Sequence, residues 1–302
     1  MTARTSKAAY FEEPRSAEVV NARTGPNADP RLSEVMGVVV RHLHAAIREA
    51  NISSEEWFAA IRFLTDTGQM CSEWRQEFIL LSDVLGASML VDALNHQRPE
   101  GSTDNTVLGP FHVADAPRYA HGDNICLDGK GEPLVVRGRV VDTDGRPIEG
   151  ALLDVWQANE DGFYDVQQKG IQPDFNLRGI FETDANGEYW FRSVKPRWYP
   201  IPDDGPVGKM LTALDRHPNR AAHLHFIVSA PGYDTIVTHI FTPDCPYLPE
   251  DAVFGVKHSL IADFQKVEDP DRAATLGFDG PFWTVEWEFV MARKDQVAKT
   301  AA

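Results

Sequence analysis

The sequence is poor in several features that would have classified it at once. Its three cysteines, Cys71, Cys126 and Cys245, are odd in number and far apart, which fits neither a disulfide framework nor a paired-cysteine zinc site. Free thiols and a reducing, cytoplasmic setting are therefore expected. No uncharged apolar run reaches the roughly 18 residues of a transmembrane helix, and the opening stretch lacks the apolar core of a secretory signal. Positive charge is scarce as well. Against 45 Asp and Glu stand 29 Lys and Arg, a formal charge of −16, with no basic block to interrupt the excess. Such a surface repels phosphate backbones and argues against nucleic-acid or anionic-membrane partners. Repeats and low-complexity tracts are missing too.

What is present suffices for a large core. With 43% hydrophobic and 25% charged residues in 302, the chain is not intrinsically disordered over most of its length. That length corresponds to roughly two domains of about 150 residues. Residues 1–30 are polar, proline-punctuated and aperiodic, and read as an extended arm. Leu32, Val35, Met36, Val39, Leu43, Ala46 and Ile47 then fall on one face of a helix, which leaves His42 and His44 at the surface. Ser53 and Glu56 form a capping box opening a second helix through Trp57, Ile61 and Leu64 to a break at Gly68. A third is expected from Ser72 through Phe78 towards Leu85, interrupted at Gly86 before Met89, Leu90 and Leu94.

Beyond Asn95 the pattern is that of strands. The β-rich runs 134–141 and 151–157 are separated by the turn dipeptide Asp144-Gly145. Residues 181–183 and 188–191 flank Asn186-Gly187, a hairpin signal. Near the end Trp283, Val285, Trp287 and Phe289 alternate with polar residues, the period of a half-buried strand. The expected fold is α+β: an arm and helical module over residues 1–100, then a mainly antiparallel β-sandwich over 101–302.

Candidate chemistry centres on His223-Leu224-His225-Phe226-Ile227-Val228. On a strand, residues i and i+2 share a face about 6.6–6.8 Å apart, so two imidazoles could converge on one ion while Leu224, Phe226 and Val228 face a core. Ile227 shares the histidine face, and two half-exposed strand histidines are the plainer alternative. His217 precedes a proline in a loop. Zinc would want a third ligand, and a ferrous oxygenase a carboxylate, but Val228-Ser229-Ala230 supplies none. Two tyrosines stand in unusual settings instead. Tyr164 lies in Asp161-Gly162-Phe163-Tyr164-Asp165, after Asp154-Val155-Trp156, and Tyr199 in the proline-locked Lys195-Pro196-Arg197-Trp198-Tyr199-Pro200. For either tyrosine alone, an interfacial aromatic with a bonded hydroxyl would explain it.

Together, Tyr164, Tyr199, His223 and His225 resemble the ferric ligand set of the intradiol ring-cleaving catechol dioxygenases. Asn105-Thr106-Val107-Leu108-Gly109-Pro110-Phe111-His112, Gly138-Arg139-Val140-Val141-Asp142, Asp154-Val155-Trp156-Gln157-Ala158 and Thr183-Asp184-Ala185-Asn186-Gly187 resemble further family segments, over about residues 30–290. The resemblance implies one Fe(III) per chain, a vicinal diol as substrate, and O2-dependent opening between the two hydroxyl-bearing carbons to a cis,cis-muconate. Tyr199 would leave the metal as the base, and Arg220 would stabilise charge building on the substrate. Phenolate is a hard donor suited to ferric iron, and a bound cation stabilises it against the usual tyrosine pKa near 10.

Within the family, Phe111-His112, Asp83 and Ile201-Pro202 resemble the branch acting on hydroxyquinol (1,2,4-trihydroxybenzene), where Asp83 could accept a bond from a third hydroxyl. Catechol and chlorocatechol are the alternatives, and a solvated helix residue is the plainer reading of Asp83. The implied pocket comprises Leu80, Asp83, Val107, Leu108, Gly109, Pro110, Phe111, Ile201, Pro202, Arg220 and Val253. His239 falls where catechol-specific relatives tend to carry glutamine, and its role stays open. The resemblance also implies a homodimer through the N-terminal helices, around an apolar channel that can hold phospholipid. From another class, a non-catalytic transthyretin-like carrier would account for the strands but not for the tyrosine and histidine contexts.

Overall fold

Residues 13–21, expected within an extended arm, form a 3-10 turn at Glu13–Arg15 and a short helix, α1 (Ser16–Asn21), instead. The computed structural model describes residues 10–72 and 75–297, so the start of the expected arm lies outside the described residues. What folds this segment back is polar contact with α2 (Pro30–Glu49). Arg48 Nε reaches Glu13 at 2.6 Å, and Ser16 Oγ lies 2.9 Å from His44 Nδ1. His44 is thus half-buried rather than a free surface residue, whereas His42 is exposed.

Asp29 caps α2 by accepting the Leu32 N–H at 2.7 Å, and Pro30 fills the first turn, where an N–H would have no partner. The capping box forms as expected at the start of α3 (Ser54–Met70): Glu56 accepts the Ser53 N–H at 2.8 Å, and Ser53 Oγ the Glu56 N–H at 3.2 Å. Gly68 does not break this helix, since one interior glycine costs only about 1 kcal/mol. The next helix, α4 (Glu77–Val84), begins later than the expected Ser72. Gly86, in the left-handed region at φ 73°, separates it from α5 (Ala87–Asn95).

The chain divides into two units, residues up to Asp66 and from Thr67 onward. The second holds ten strands among the described residues: β1 (Pro133–Asp142), β2 (Leu152–Trp156), β3 (Arg178–Glu182), β4 (Glu188–Val194), β5 (Tyr199–Pro200), β6 (Asn219–Arg220), β7 (His223–Ser229), β8 (Ile236–Phe241), β9 (Phe264–Val267) and β10 (Phe282–Met291). They make a four-stranded sheet β4-β1-β10-β9, a second one β3-β2-β7-β8, and the ribbon β5-β6. All pairings are antiparallel except β1 with β10. The fold is the expected α+β arrangement, with most helices first and a mainly antiparallel sandwich after, in which α6 (Pro206–Ala213) and α7 (Pro270–Thr275) are set among the strands.

Both turn dipeptides form tight turns, with Gly145 N–H bonding Asp142 O and Gly187 N–H bonding Asp184 O, each at 2.9 Å. Neither makes a hairpin. β1 and β2 lie in different sheets, and so do β3 and β4. The strands flanking Asn186-Gly187 part into the two sheets, and Phe181 on β3 and Phe191 on β4 stack across the sandwich at 4.7 Å, buried in the core between them. Phe226 on β7 meets Phe289 on β10 at 4.9 Å, and Leu224 and Val228 are fully buried beside it. That packing fixes the opposite face of β7, the one carrying the histidines.

Candidate active site and metal centre

The Tyr164 loop is shaped by its own polar groups. Asn159 Oδ1 accepts the N–H groups of Asp161 and Phe163 at 3.1 and 2.9 Å, and Gln167 Oε1 accepts that of Tyr164 at 2.9 Å. Asp165, next in sequence, is anchored by the buried Arg178, whose Nε donates to it at 2.7 Å. Gly162 sits at φ 86°, and a Cβ there would lie 2.9 Å from Tyr199 Cβ. Only glycine both adopts that backbone conformation and lets the two tyrosine segments approach. Tyr199, on β5, pairs in register with Arg220 on β6.

The four donors expected from the sequence converge. Tyr164 Oη lies 3.0 Å from Tyr199 Oη and 2.8 Å from His225 Nε2, and His225 Nε2 lies 3.0 Å from His223 Nε2. All four side chains are buried, none more than 4% exposed. His223 Nδ1 faces Ala221 O at 2.6 Å; an imidazole can only donate to a carbonyl, so its proton sits on Nδ1 and a bare lone pair points from Nε2 into the cluster. Separations of 2.8–3.0 Å are those of ligands about 2.1 Å from one ion at about a right angle. The donor set therefore fits a metal, with two phenol oxygens favouring a hard, highly charged one.

Electrostatics agree. Burial, with Arg220 adding to it, pushes His223 well below its ordinary pKa, and burial with His239 and His223 does the same to His225. Both are neutral, the state that binds metal. Burial and the neighbouring Tyr199 push Tyr164 well above its ordinary value, so a phenolate there needs a bound cation to compensate it.

His239 was not among the expected ligands. It stands opposite His225 across β7 and β8, and His223, His225 and His239 offer ring nitrogens within 4.8 Å of one another. Burial and His223 push it down as well. The signal was Thr238-His239-Ile240-Phe241, a second strand histidine whose register could not be known before the pairing was. Trp156, across β2 from His225, stacks on that ring at 4.5 Å and 11°. His112 Nε2, 2.9 Å from Asp154 Oδ2, ties the segment after Phe111 to β2.

Of the expected pocket residues, Gly109 (φ 77°) lies so close that a Cβ would meet His225 Cε1 at 3.1 Å. Phe111 stacks on Tyr164 at 4.6 Å. Arg220 is buried, its Nη1 3.3 Å from His223 Nε2. Asp83, half-buried on α4, is raised above the ordinary carboxylate range by desolvation, with Ser88 and the Arg220 charge pulling the other way. Ile201 and Val253 are buried, Leu80, Val107 and Pro202 half-buried, and Leu108 and Pro110 exposed. The three cysteines are free, and among the described residues no helix is long and apolar enough to cross a membrane.

Comparison with known proteins assigns the class. The catechol dioxygenase N-terminus family matches residues 29–103 and the dioxygenase family residues 107–291. The chain belongs to the intradiol ring-cleaving dioxygenases. It is 65% identical over 285 residues to hydroxyquinol 1,2-dioxygenase of Rhizobium sp. (strain MTP-10005), covering 94% of this chain and 97% of the relative. It is 49% identical to 6-chlorohydroxyquinol 1,2-dioxygenase of Cupriavidus pinatubonensis, covering 89% and 96%. The crystal structure of hydroxyquinol 1,2-dioxygenase from Pseudomonas putida DLL-E4 superposes with a TM-score of 0.86 at 46% identity, covering 93% of this chain and 99% of that one.

Proposed function

We propose that this dioxygenase opens hydroxyquinol between its two adjacent hydroxyl-bearing carbons, taking up O2 to give 3-hydroxy-cis,cis-muconate, the enol form of maleylacetate. The observation that carries the reading is the convergence of Tyr164, Tyr199, His223 and His225 in a chain 65% identical to a hydroxyquinol 1,2-dioxygenase. Those four residues would hold one Fe(III) per chain. Ferric iron bound there would supply a Lewis acid that activates the diol's ring towards O2.

The protein's own groups do the rest. Tyr199, held as the phenolate by a bound metal, would take a proton from the substrate's hydroxyl. Arg220, buried beside it, faces the negative charge that builds on the ring oxygens, where low polarity magnifies its effect. Phe111 and Gly109 wall the donor cluster, with Leu80, Val107, Leu108, Pro110, Ile201, Pro202 and Val253 as the remaining lining. Asp83 accepts a hydrogen bond from the third hydroxyl, which catechol and chlorocatechols lack.

Exposed apolar side chains along α2 and α3, Leu32, Val39, Leu43, Trp57 and Leu64 among them, support a homodimer built through the N-terminal helices and an apolar channel for phospholipid between them. The module so defined is residues 1–100, with residues 101–302 as the catalytic domain. A cytoplasmic location fits the free thiols.

The test is a panel of hydroxyquinol, catechol and chlorocatechols with products identified, run on the native enzyme and on Asp83→Leu. Hydroxyquinol should be preferred and yield the muconate. Losing this partly buried acceptor should cost about 1.5–3 kcal/mol with hydroxyquinol, roughly 10- to 150-fold in kcat/KM, and little with catechol. A semialdehyde as main product would contradict the intradiol reading, and equal losses on both substrates would make Asp83 structural.

A further inference from the structure

Arg220 is 3% exposed, and a buried guanidinium requires compensation. Asp251 supplies it from the loop after the 3-10 turn Leu248–Glu250, with Oδ1 3.4 Å from Arg220 Nε and its side chain 1% exposed. The pairing is side-on. Asp251 Oδ1 accepts the Ala221 N–H and Oδ2 the Gly255 N–H, both at 2.8 Å. Its directional bonds are thus used on the backbone, and the guanidinium meets it by charge rather than by the two-pronged bond an arginine usually makes to a carboxylate. The fork of Nη1 and Nη2 stays free of the carboxylate and points towards the donor cluster, 3.3 Å from His223 Nε2 and 3.5 Å from His239 Nδ1. A head-on carboxylate would have occupied that fork.

The loop carrying Asp251 is itself fastened at both ends of the site. Gly255 O accepts the Thr106 hydroxyl at 2.9 Å, immediately before the 107–111 segment, and Ala252 N–H bonds Asn219 O at 3.1 Å, next to Arg220. Its approach depends on Gly255. A Cβ there would lie 2.9 Å from Arg220 Nη2 and 3.2 Å from Asp251 Oδ2.

We propose that Asp251, seated through Gly255, is a positioning residue that holds the Arg220 fork towards the substrate side of the donor cluster. This rests on reading Arg220 as the group that meets charge on the substrate. The rival account is that Asp251 merely ties down a loop and neutralises a buried charge.

A double-mutant cycle on the iron-loaded, full-length enzyme with hydroxyquinol separates the two. Asp251→Asn should lower kcat about 10- to 100-fold, the scale of a misplaced catalytic group, with KM little changed and with iron content and visible absorption as in the parent. Gly255→Ala keeps both charges yet presses on the guanidinium, and should give the same pattern even if Asp251→Asn folds poorly. In an Arg220→Gln background, Asp251→Asn should cost little more, because coupled residues are non-additive. The proposal is overturned if both single variants turn over at the parental kcat, or if the Asp251→Asn loss persists in full without the arginine. Parental kcat in Arg220→Gln alone would instead overturn the reading of Arg220.

Discussion

The sandwich and the N-terminal helices are built from similar apolar side chains and dispose of them in opposite ways. In the sandwich, Trp156, Phe181, Phe191, Phe226 and Phe289 are at most 1% exposed. Along α2 and α3, Leu32, Leu43 and Phe58 are 60%, 56% and 54% exposed, and no residue of α2 is buried. A sheet pair covers its own apolar faces, whereas an amphipathic helix presents a stripe for something else to cover. The site follows the same division. Its candidate donors stand on the self-sufficient half, where the packed core beneath β7 fixes the strand face that carries His223 and His225.

The sharpest way to break this contrast is to damage the packing under the candidate donors. Phe226→Ala, on the reverse face of β7, should cost about 3–5 kcal/mol in urea unfolding and lower iron retention with it. A loss below about 1 kcal/mol would mean that the site does not depend on that core. Acid should give an effect of comparable size with a definite sign. His223, His225 and His239 are held below their ordinary pKa of 6.5, chiefly by burial. Below that pH the unfolded chain takes up protons that the folded, chelator-treated protein refuses. Stability should therefore be flat from these groups above pH 6.5. Below it the loss should reach about 1.4 kcal/mol per pH unit for each histidine. Urea midpoints at pH 7.5 and 5.5 check this, and His239→Gln should make the fall shallower; an unchanged midpoint would contradict it. The smallest change in stability is expected on the helices. Leu43→Ser should alter the unfolding free energy of the dissociated monomer by no more than about 0.5 kcal/mol while moving sedimentation from dimer towards monomer, with iron content untouched. A dimer that survives would place the subunit contact elsewhere.

The same contrast governs what could be read in advance. The strand β7 was legible because its two faces differ in chemistry, imidazoles on one and Leu224, Phe226 and Val228 on the other. The capping box of α3 was legible because it is local. Asn186-Gly187 misled because a turn dipeptide fixes four residues but not whether the strands beyond it stay together, and here they part into two sheets with Phe181 and Phe191 stacked between them. The arm misled because its order comes from Glu13 and Ser16 bonding residues about 30 positions away. The place of His239 beside His225, and Asp251 altogether, were hidden for a related reason. Each matters only through a neighbour that strand register or loop closure brings to it, and neither carries a local pattern.

Iron content and visible absorption of the purified protein, measured together, test the central claim most directly. The account predicts about one ferric ion per chain and a broad phenolate-to-iron charge-transfer band that shifts or weakens in Tyr164→Phe and Tyr199→Phe, with less iron bound in His223→Ala. A protein with full iron content and no visible band would contradict it, because the tyrosines would then not be ligands.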